Sequence, residues 1–381
     1  MPRISTKHER TMFQKKILKE LEKDPNSQID IGLDLHKSSI HAAIFRGGAT
    51  LTDWRTTANY GDFADQILPF LPYTKTVAYE AGPTGFSLAR VLQGHGFNVV
   101  VCAPAHTPRP AARQNKSDRI DSIKLAQLSA AGMLKAVTIP TEQEEQDRLV
   151  LRHRNALIGK SRRVKQQIKA EFLFVGTGEV GSWSKKEIKR LAEFKCSENQ
   201  RFTLDSMLRE LGMLDDEVKA TTARVDLIMR ERHADTKAIL ESHPGVGPIT
   251  AATFALELFR GPQRFRNGRH VASFLGLAPG KDQTGESDQP QPLLKRGQTR
   301  LRSILIEAAW RWIRLDPAAM AAYGRITSKK KGNGKKAIAA MARRLAVRLW
   351  TMWTRGEMYN PEKEIQRQRQ RVARKTEAVA S

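Results

Sequence analysis

The sequence predicts an α/β domain near the N-terminus, a long helical middle and a mainly α C-terminal domain. Three observations predict it. Between residues 28 and 102, short apolar runs alternate with helical patterns, as in a sheet covered by helices. From 142 to 240, helical spacing continues with few Gly or Pro. Beyond 241, turns marked by Gly and Pro separate further helical stretches.

The 381 residues suffice for two or three domains. A hydrophobic content of 40% with 28% charged residues fits a soluble globular protein. The formal net charge of +25 favours a polyanionic partner. With only Cys102 and Cys196, a disulfide framework or cysteine zinc site is excluded. The N-terminus lacks the apolar core of a signal peptide, and no apolar run approaches membrane-spanning length. The expectation is a cytoplasmic, reduced protein that binds nucleic acid and no membrane.

Residues 1–27 are rich in Lys and Arg, end at Asp24-Pro25-Asn26-Ser27, and read as a basic helix or a loose arm followed by a turn, a solvated terminus being the plainer of the two. Ile29, Ile31, Leu33 and Leu35 then alternate with Asp30, Gly32, Asp34 and His36, the period of a strand. His36-Lys37-Ser38-Ser39 reads as a turn, Ile40 to Ile44 as a second strand and Thr50 to Thr56 as a third. Asp34 stands near the end of the first strand, where a carboxylate can point outward; alone it says little. Phe63 to Leu71 reads as a short helix and Thr76 to Tyr79 as a strand, with Glu80 directly after it. A Gly82-Pro83-Thr84-Gly85 turn launches a helix through Leu88, Val91 and Leu92, and Phe97 to Cys102 is another buried strand. In open sheets of this kind the site lies beyond the carboxyl ends of the strands, where Asp34 and Glu80 fall.

The next stretch is Lys116-Ser-Asp-Arg-Ile-Asp121. Ser117 is a good N-cap, and Ile120, Ile123, Leu125 and Leu128 continue at helical spacing. Asp118 and Asp121 therefore share a helix face. Carboxylates so close repel, and a divalent cation relieves the repulsion. Four acids from three elements, in so basic a chain, point to phosphoryl transfer on nucleic acid served by two divalent ions roughly 4 Å apart. Oxygen ligands suit hard cations, and a lack of clustered Cys and His agrees.

In the middle region, Leu149 to Phe174 carries Lys160, Arg162, Arg163, Lys165 and Lys169, residues 176–184 form a loop, and Leu204 to Leu240 resumes helical spacing. Two long antiparallel helices, a coiled-coil spacer, are the natural reading. Its cations form either a solvated face or a nucleic-acid face. Gly245-Val-Gly247-Pro before a helix is either a helix-hairpin-helix-like loop that brings N–H groups to a phosphate or a plain tight turn. Phe274 to Pro279 closes a helix, residues 280–291 form a polar loop, and Lys295-Arg296-Gly297-Gln298 leads into a helix lined by Arg300 and Arg302. Thr284 beside Gly285 is a nucleophile or an ordinary loop residue. Lys329, Lys330 and Lys331 lie in a Gly-containing run without acids, suited to phosphate. The expected nucleic-acid contacts are these three, Lys116, Arg162, Arg163, Gly245, Gly247, Lys295, Arg296, Arg300 and Arg302. Domain boundaries are expected at 1–27 for the arm, 28–141 for the catalytic domain (its last helices running to about 175), 142–240 for the spacer, 241–356 for the C-terminal domain and 357–381 for a charged tail.

Taken together, these stretches resemble the DEDD-type transposases of bacterial insertion sequences, the IS one-ten family. The resemblance is carried by Gly32-Leu-Asp-Leu-His-Lys37, Tyr79-Glu-Ala-Gly-Pro83, Lys116 to Asp121, Gly245 to Thr250, Gly276-Leu-Ala-Pro279, and Lys295 to Arg302 leading to Glu307-Ala-Ala-Trp310. They occur in family order and span nearly the whole chain after residue 28. The resemblance implies an RNase H-like (RuvC-like) N-terminal domain, a coiled-coil segment and a C-terminal transposase domain. It also implies a metal-binding tetrad of Asp34, Glu80, Asp118 and Asp121 using Mg2+ (or Mn2+), and a hydroxyl nucleophile that forms a covalent protein–DNA intermediate. The family has Ser-Gly where this chain has Thr284-Gly285; Ser287 is nearby but off register. A threonine can attack phosphorus, although its β-methyl restricts χ1. The partners implied are DNA, a structured non-coding guide RNA and further copies of the chain in a dimer or tetramer. Two other readings stand beside it: a RuvC-like nuclease or junction resolvase without a covalent intermediate, and an inactive nucleic-acid-binding relic.

Overall fold

The computed structural model describes residues 3–4, 6–105, 107–108, 117–176, 178–284, 287–293, 297–328, 334–362 and 365–366. The chain forms two compact units, Met1–Pro140 and Thr141–Ser381.

The first unit is a mixed sheet of β1 (Arg3–Ile4), β2 (Ile29–Leu35), β3 (Ser39–Arg46), β4 (Ala49–Thr57), β5 (Thr74–Glu80) and β6 (Val99–Cys102), in the order β1-β4-β3-β2-β5-β6. β2, β3 and β4 pair antiparallel, while β5 and β6 run parallel to β2. β2 is therefore central, and the alternation in its sequence sorts residues between two covered faces. Ile29, Ile31 and Leu33 join one apolar layer with Leu88, Ala89 and Leu92 of α3 (Ser87–Gly94) and with Phe63 and Ile67 of α2 (Tyr60–Ile67). Asp30, Gly32 and Asp34 face the other way, toward α4 (Asp118–Ala130). Phe63 to Leu71 is shorter as an α-helix than its pattern suggested, because Leu68–Tyr73, with Pro69 and Pro72, continues as a 3-10 turn.

Of the two readings of the first 27 residues, the basic helix is the one the structure forms. Lys7–Leu21 forms α1, opened by a capping box between Thr6 and Glu9. Ile17 and Leu21 are buried in the sheet's apolar layer, with Phe13 and Leu18 packed against it. The apolar stripe lies at helical spacing within a basic helix, so net charge concealed it.

Among its described residues the second unit is helical apart from one hairpin. α5 (Glu142–Val175) and α7 (Glu198–Arg232) pack along each other, each about 50 Å long. Leu157, Val164, Ile168 and Phe172 meet Leu204, Leu211 and Leu214 between them. α6 (Lys185–Ala192), a helix the sequence reading passed over, adds its buried Leu191 to this layer. The larger core gathers α8 (Ala234–Glu241), α9 (Pro248–Glu257), α10 (Gly268–Phe274), α11 (Thr299–Leu315), α12 (Pro317–Thr327) and α13 (Gly334–Arg355) around residues such as Leu256, Leu305, Trp312 and Leu345. The polar loop expected at 280–291 is instead a β-hairpin, β7 (Pro279–Thr284) with β8 (Ser287–Leu293). Residues 357–360 also belong to this unit, since the Tyr359 N–H donates to Ser242 Oγ at 2.9 Å and its ring packs on His243. Among the described residues no helix is long and apolar enough to cross a membrane.

Candidate functional site

The site is built at the carboxyl end of β2. Three residues of that strand, two apart, meet one stripe of α4. Asp30 Oδ1 accepts from Ser129 Oγ at 2.6 Å, both groups buried. At Gly32, a Cβ would lie 2.2 Å from the Ser122 carbonyl oxygen and 2.3 Å from the Ala126 nitrogen, so only glycine lets the helix backbone lie on the strand here. Asp34 comes next, beneath the first turn of α4. The steps match because two strand residues and four helix residues each advance about 6 Å along their axes.

The start of α4 is held on both sides. Ser117 Oγ caps it by accepting from the Ile120 N–H at 3.3 Å. The Arg119 guanidinium pairs with Asp53 of β4 at 2.9 Å. Asp118 and Asp121 thereby fall in the first turn, where the helix dipole favours carboxylates.

Two histidines complete the cluster, and the sequence reading missed both. His36 Nε2 lies 3.1 Å from Asp34 Oδ2 and 3.4 Å from Asp118 Oδ1. His41, directly across from Asp34 in β3, places Nε2 3.5 Å from Asp118 Oδ2. The expectation that histidines do not cluster here is therefore wrong: the turn and antiparallel return of the chain fold residues 36 and 41 back onto 34. The available signal was the β2–β3 hairpin itself, whose register sets His41 opposite Asp34.

Asp34, His36 and Asp118 each offer a donor atom within 4.8 Å of the others. Burial pushes the Asp34 carboxyl above the usual carboxylate range; His36 opposes this, and the charges of Asp118 and Asp121 add to it. So Asp121 is near enough for its charge to act on Asp34, though it stands outside the group of three. Glu80 ends β5, one step past the Leu33–Tyr79 register pair, on the sheet face that carries Asp34. It too lies outside the group of three. Mutually repelling carboxylates beside an imidazole fit a divalent cation, with Asp34, His36 and Asp118 as the residues placed to hold it.

The other expected positions divide. Arg162 and Arg163 are exposed on α5, and Arg300 is exposed on α11. Arg302 donates to the Gly276 carbonyl at 3.3 Å and so supports a turn. Gly245 is buried with φ +129°, and a Cβ there would meet Ala308 O and Trp312 Cβ at 2.8 Å; its freedom is used for close packing on α11. Gly247, half-buried, is the N-cap residue of α9. Thr284 ends β7 directly opposite Ser287. Lys116, Lys295, Arg296, Lys329, Lys330 and Lys331 lie outside the described residues.

A mixed sheet whose central strand carries an acid next to its last residue, overlain by a helix that starts with two more, is consistent with the N-terminal domain of a DEDD-type transposase. Residues 31–174 match a family model of that type, described as a transposase and named for IS110, and residues 237–324 match the model described as the transposase IS116/IS110/IS902 family. The y4rJ protein of Sinorhizobium fredii, named as a transposase, is 30% identical over 301 residues, covering 72% of this chain and 76% of y4rJ. The y4qE protein of the same organism is 33% identical over 234 residues, 61% of this chain but only 57% of y4qE. The transposase for insertion sequence element IS1328 of Yersinia enterocolitica is 25% identical over 344 residues, 87% of this chain and 98% of that protein. The chain belongs to the IS116/IS110/IS902 transposase family. Transposases are phosphoryl-transfer enzymes of DNA recombination.

Proposed function

We propose that this protein cleaves and rejoins DNA to move an insertion sequence, acting as an oligomer and directed by a structured non-coding RNA. The observation that carries the reading is the meeting of Asp34 and Asp118 at the end of β2, in a chain of net charge +25 that belongs to a transposase family. Asp34, Glu80, Asp118 and Asp121 are the proposed tetrad, with Mg2+ or Mn2+ as the metal. A bound divalent cation supplies Lewis acidity, polarising the scissile phosphate and easing deprotonation of the attacking hydroxyl. Thr284 is the proposed nucleophile. Its Oγ bonds to phosphorus while one phosphodiester P–O bond breaks; the threonine proton leaves, and the departing sugar oxygen gains one. The strand order of the N-terminal sheet supports an RNase H-like domain. Exposed Arg162, Arg163 and Arg300 support contacts to nucleic-acid phosphates, and base pairing with the RNA would supply sequence choice.

A hydrolytic nuclease using water is the second reading, favoured by threonine standing where the family has serine. The test uses the full chain with element-end DNA, RNA transcribed from the element's non-coding flank, and Mn2+ or Mg2+, resolved on denaturing gels. The transposase reading expects DNA covalently attached to protein, lost in Thr284→Ala, and neither adduct nor cleavage in Asp118→Ala. Undiminished cleavage by Thr284→Ala without an adduct would establish the nuclease instead. Equal inertness of wild type and Asp118→Ala, with both binding DNA, would establish a relic.

A further inference from the structure

We infer that His36 is itself a ligand of the catalytic cation, so that the site is a mixed nitrogen–oxygen centre that prefers Mn2+ over Mg2+. The inference rests on the metal-dependent reading above and specifies which ion that site selects.

The first observation is geometric. His36 Nε2 faces two carboxylates at once, Asp34 Oδ2 at 3.1 Å and Asp118 Oδ1 at 3.4 Å. An ordinary ion pair needs one carboxylate. Donors on one octahedral cation, each about 2.1 Å from it, stand about 3 to 4.2 Å apart; His36 Nε2 meets both carboxylates within that range, and all three donors lie within 4.8 Å of one another. The local chain delivers two of them together: Asp34 is the last residue but one of the strand, His36 follows the strand directly, and its imidazole is half exposed.

The second observation is independent and comes from the opposite side of Asp118. His41 is 8% exposed, and neither ring nitrogen has a hydrogen-bond partner among the described residues. Its Nε2 points at Asp118 Oδ2 from 3.5 Å, just beyond hydrogen-bond reach. A buried imidazole left in this condition is costly, because its nitrogens have lost water without gaining a partner. A small shift of Asp118 toward His41 would satisfy Nε2 and leave only Nδ1 without a partner. Asp118 thus offers Oδ1 toward His36 and Oδ2 toward His41. This is the pattern of a ligating carboxylate held from behind by an outer partner. His41 is the positioning residue, and His36 stands on the ligand side.

The choice of ion follows from donor chemistry. Mg2+ holds oxygen ligands and waters in strict octahedra; Mn2+ is also suited by carboxylate and water, but as a first-row transition ion it takes an imidazole beside them more readily than Mg2+ does. An imidazole in the set therefore strengthens Mn2+ binding and does little for Mg2+.

The test titrates the metal-stripped full-length protein with Mn2+ and separately with Mg2+, and records pulsed EPR of the bound Mn2+. Wild type is expected to show 14N coupling from a coordinated imidazole. His36→Gln is expected to lose that coupling and to bind Mn2+ about 10- to 100-fold more weakly, with Mg2+ affinity changed less than threefold. Because His36 is half exposed in a turn, Gln there leaves the core untouched, and the wild-type spectrum alone already decides whether nitrogen is bound. Tight Mn2+ binding that Asp118→Asn abolishes, but without 14N coupling, overturns the inference and leaves the metal site standing. So does 14N coupling that persists in His36→Gln. Wild type that binds neither ion, or Asp118→Asn that binds both as tightly as wild type, overturns the metal-site reading itself.

Discussion

Gly32 and Asp34 lie two residues apart on the same face of β2, and the first decides what the second can meet. With the α4 backbone 2.2 Å from the place a Cβ would take, Gly32→Ala must push the helix off the strand. The expected loss is on the order of 3 kcal/mol, seen as a lower Tm, with Mn2+ affinity falling in parallel because Asp118 moves with the helix. Asp34 carries the opposite tension. Its carboxyl is raised by burial and by Asp118 and Asp121, so its charged form opposes folding. The sign follows: the folded protein holds this proton more tightly than the unfolded chain, so stability falls as pH rises through the interval between the two pKa values. Asp34→Asn removes that charge. In EDTA at neutral pH the variant is expected to melt above wild type, while its DNA cleavage falls at least about 100-fold. A variant that melts below wild type in EDTA would contradict this account of Asp34.

At the scale of elements, α4 is a lever whose first turn carries the chemistry and whose last turn is anchored by the buried Asp30–Ser129 hydrogen bond. Its existence and N-cap were legible in the sequence, since Ser117 and the spacing after it are local signals. Its seat on the sheet was not, because the contacts joining 32 to 122 and 30 to 129 span about ninety residues or more of chain. The hairpin β7–β8 shows a similar division. Gly297, with φ +97°, approaches Gly276 N and Phe274 O so closely that a Cβ would lie 2.7 Å from each. The two glycine motifs that flank the hairpin in sequence therefore form its base, a joint between the end of α10 and the start of α11. Gly297→Val combines a left-handed backbone with that clash and is expected to destabilise the joint by more than about 2 kcal/mol. Limited proteolysis should then cut near residues 276–297 several-fold faster than in wild type, whereas unchanged cleavage would count against the joint.

Across the whole molecule, charge and burial act on different functions. The net charge of +25 predicts steeply salt-dependent nucleic-acid binding. Replacing both Arg162 and Arg163 by Ala is expected to weaken binding uniformly across sequences and to flatten the slope of log K against log salt by about 1 to 2. An unaltered slope would return those arginines to an ordinary solvated face. Acid stability, by contrast, depends on a buried imidazole. His243 is 1% exposed between the Trp312 and Tyr359 rings, and burial drives its pKa down to about 3. The unfolded chain then binds this proton more readily than the folded one. The stabilisation is therefore full above about pH 6.5 and is lost as pH falls toward 3. His243→Leu, of similar volume and no charge, removes this dependence, so the Tm of wild type relative to that of the variant should fall by several degrees from pH 7.5 to pH 5. A constant gap would show that His243 does not report on acid stability.

The sequence by itself determined what is local or additive. It determined the strands and helices whose periodicity spans a few turns, the cap at Ser117, the charge that selects a polyanion, and the acids at strand ends and at a helix start. Only the tertiary structure decided which of those acids meet, that His36 and His41 stand among them, that Gly245 and Gly297 serve packing, and that the basic first helix is part of the core. The reason is physical. Periodicity and capping depend on neighbours within one turn or one pleat, whereas a site depends on the register of the β2–β3 hairpin and the seat of α4 on β2, which are set by contacts between residues far apart in the chain.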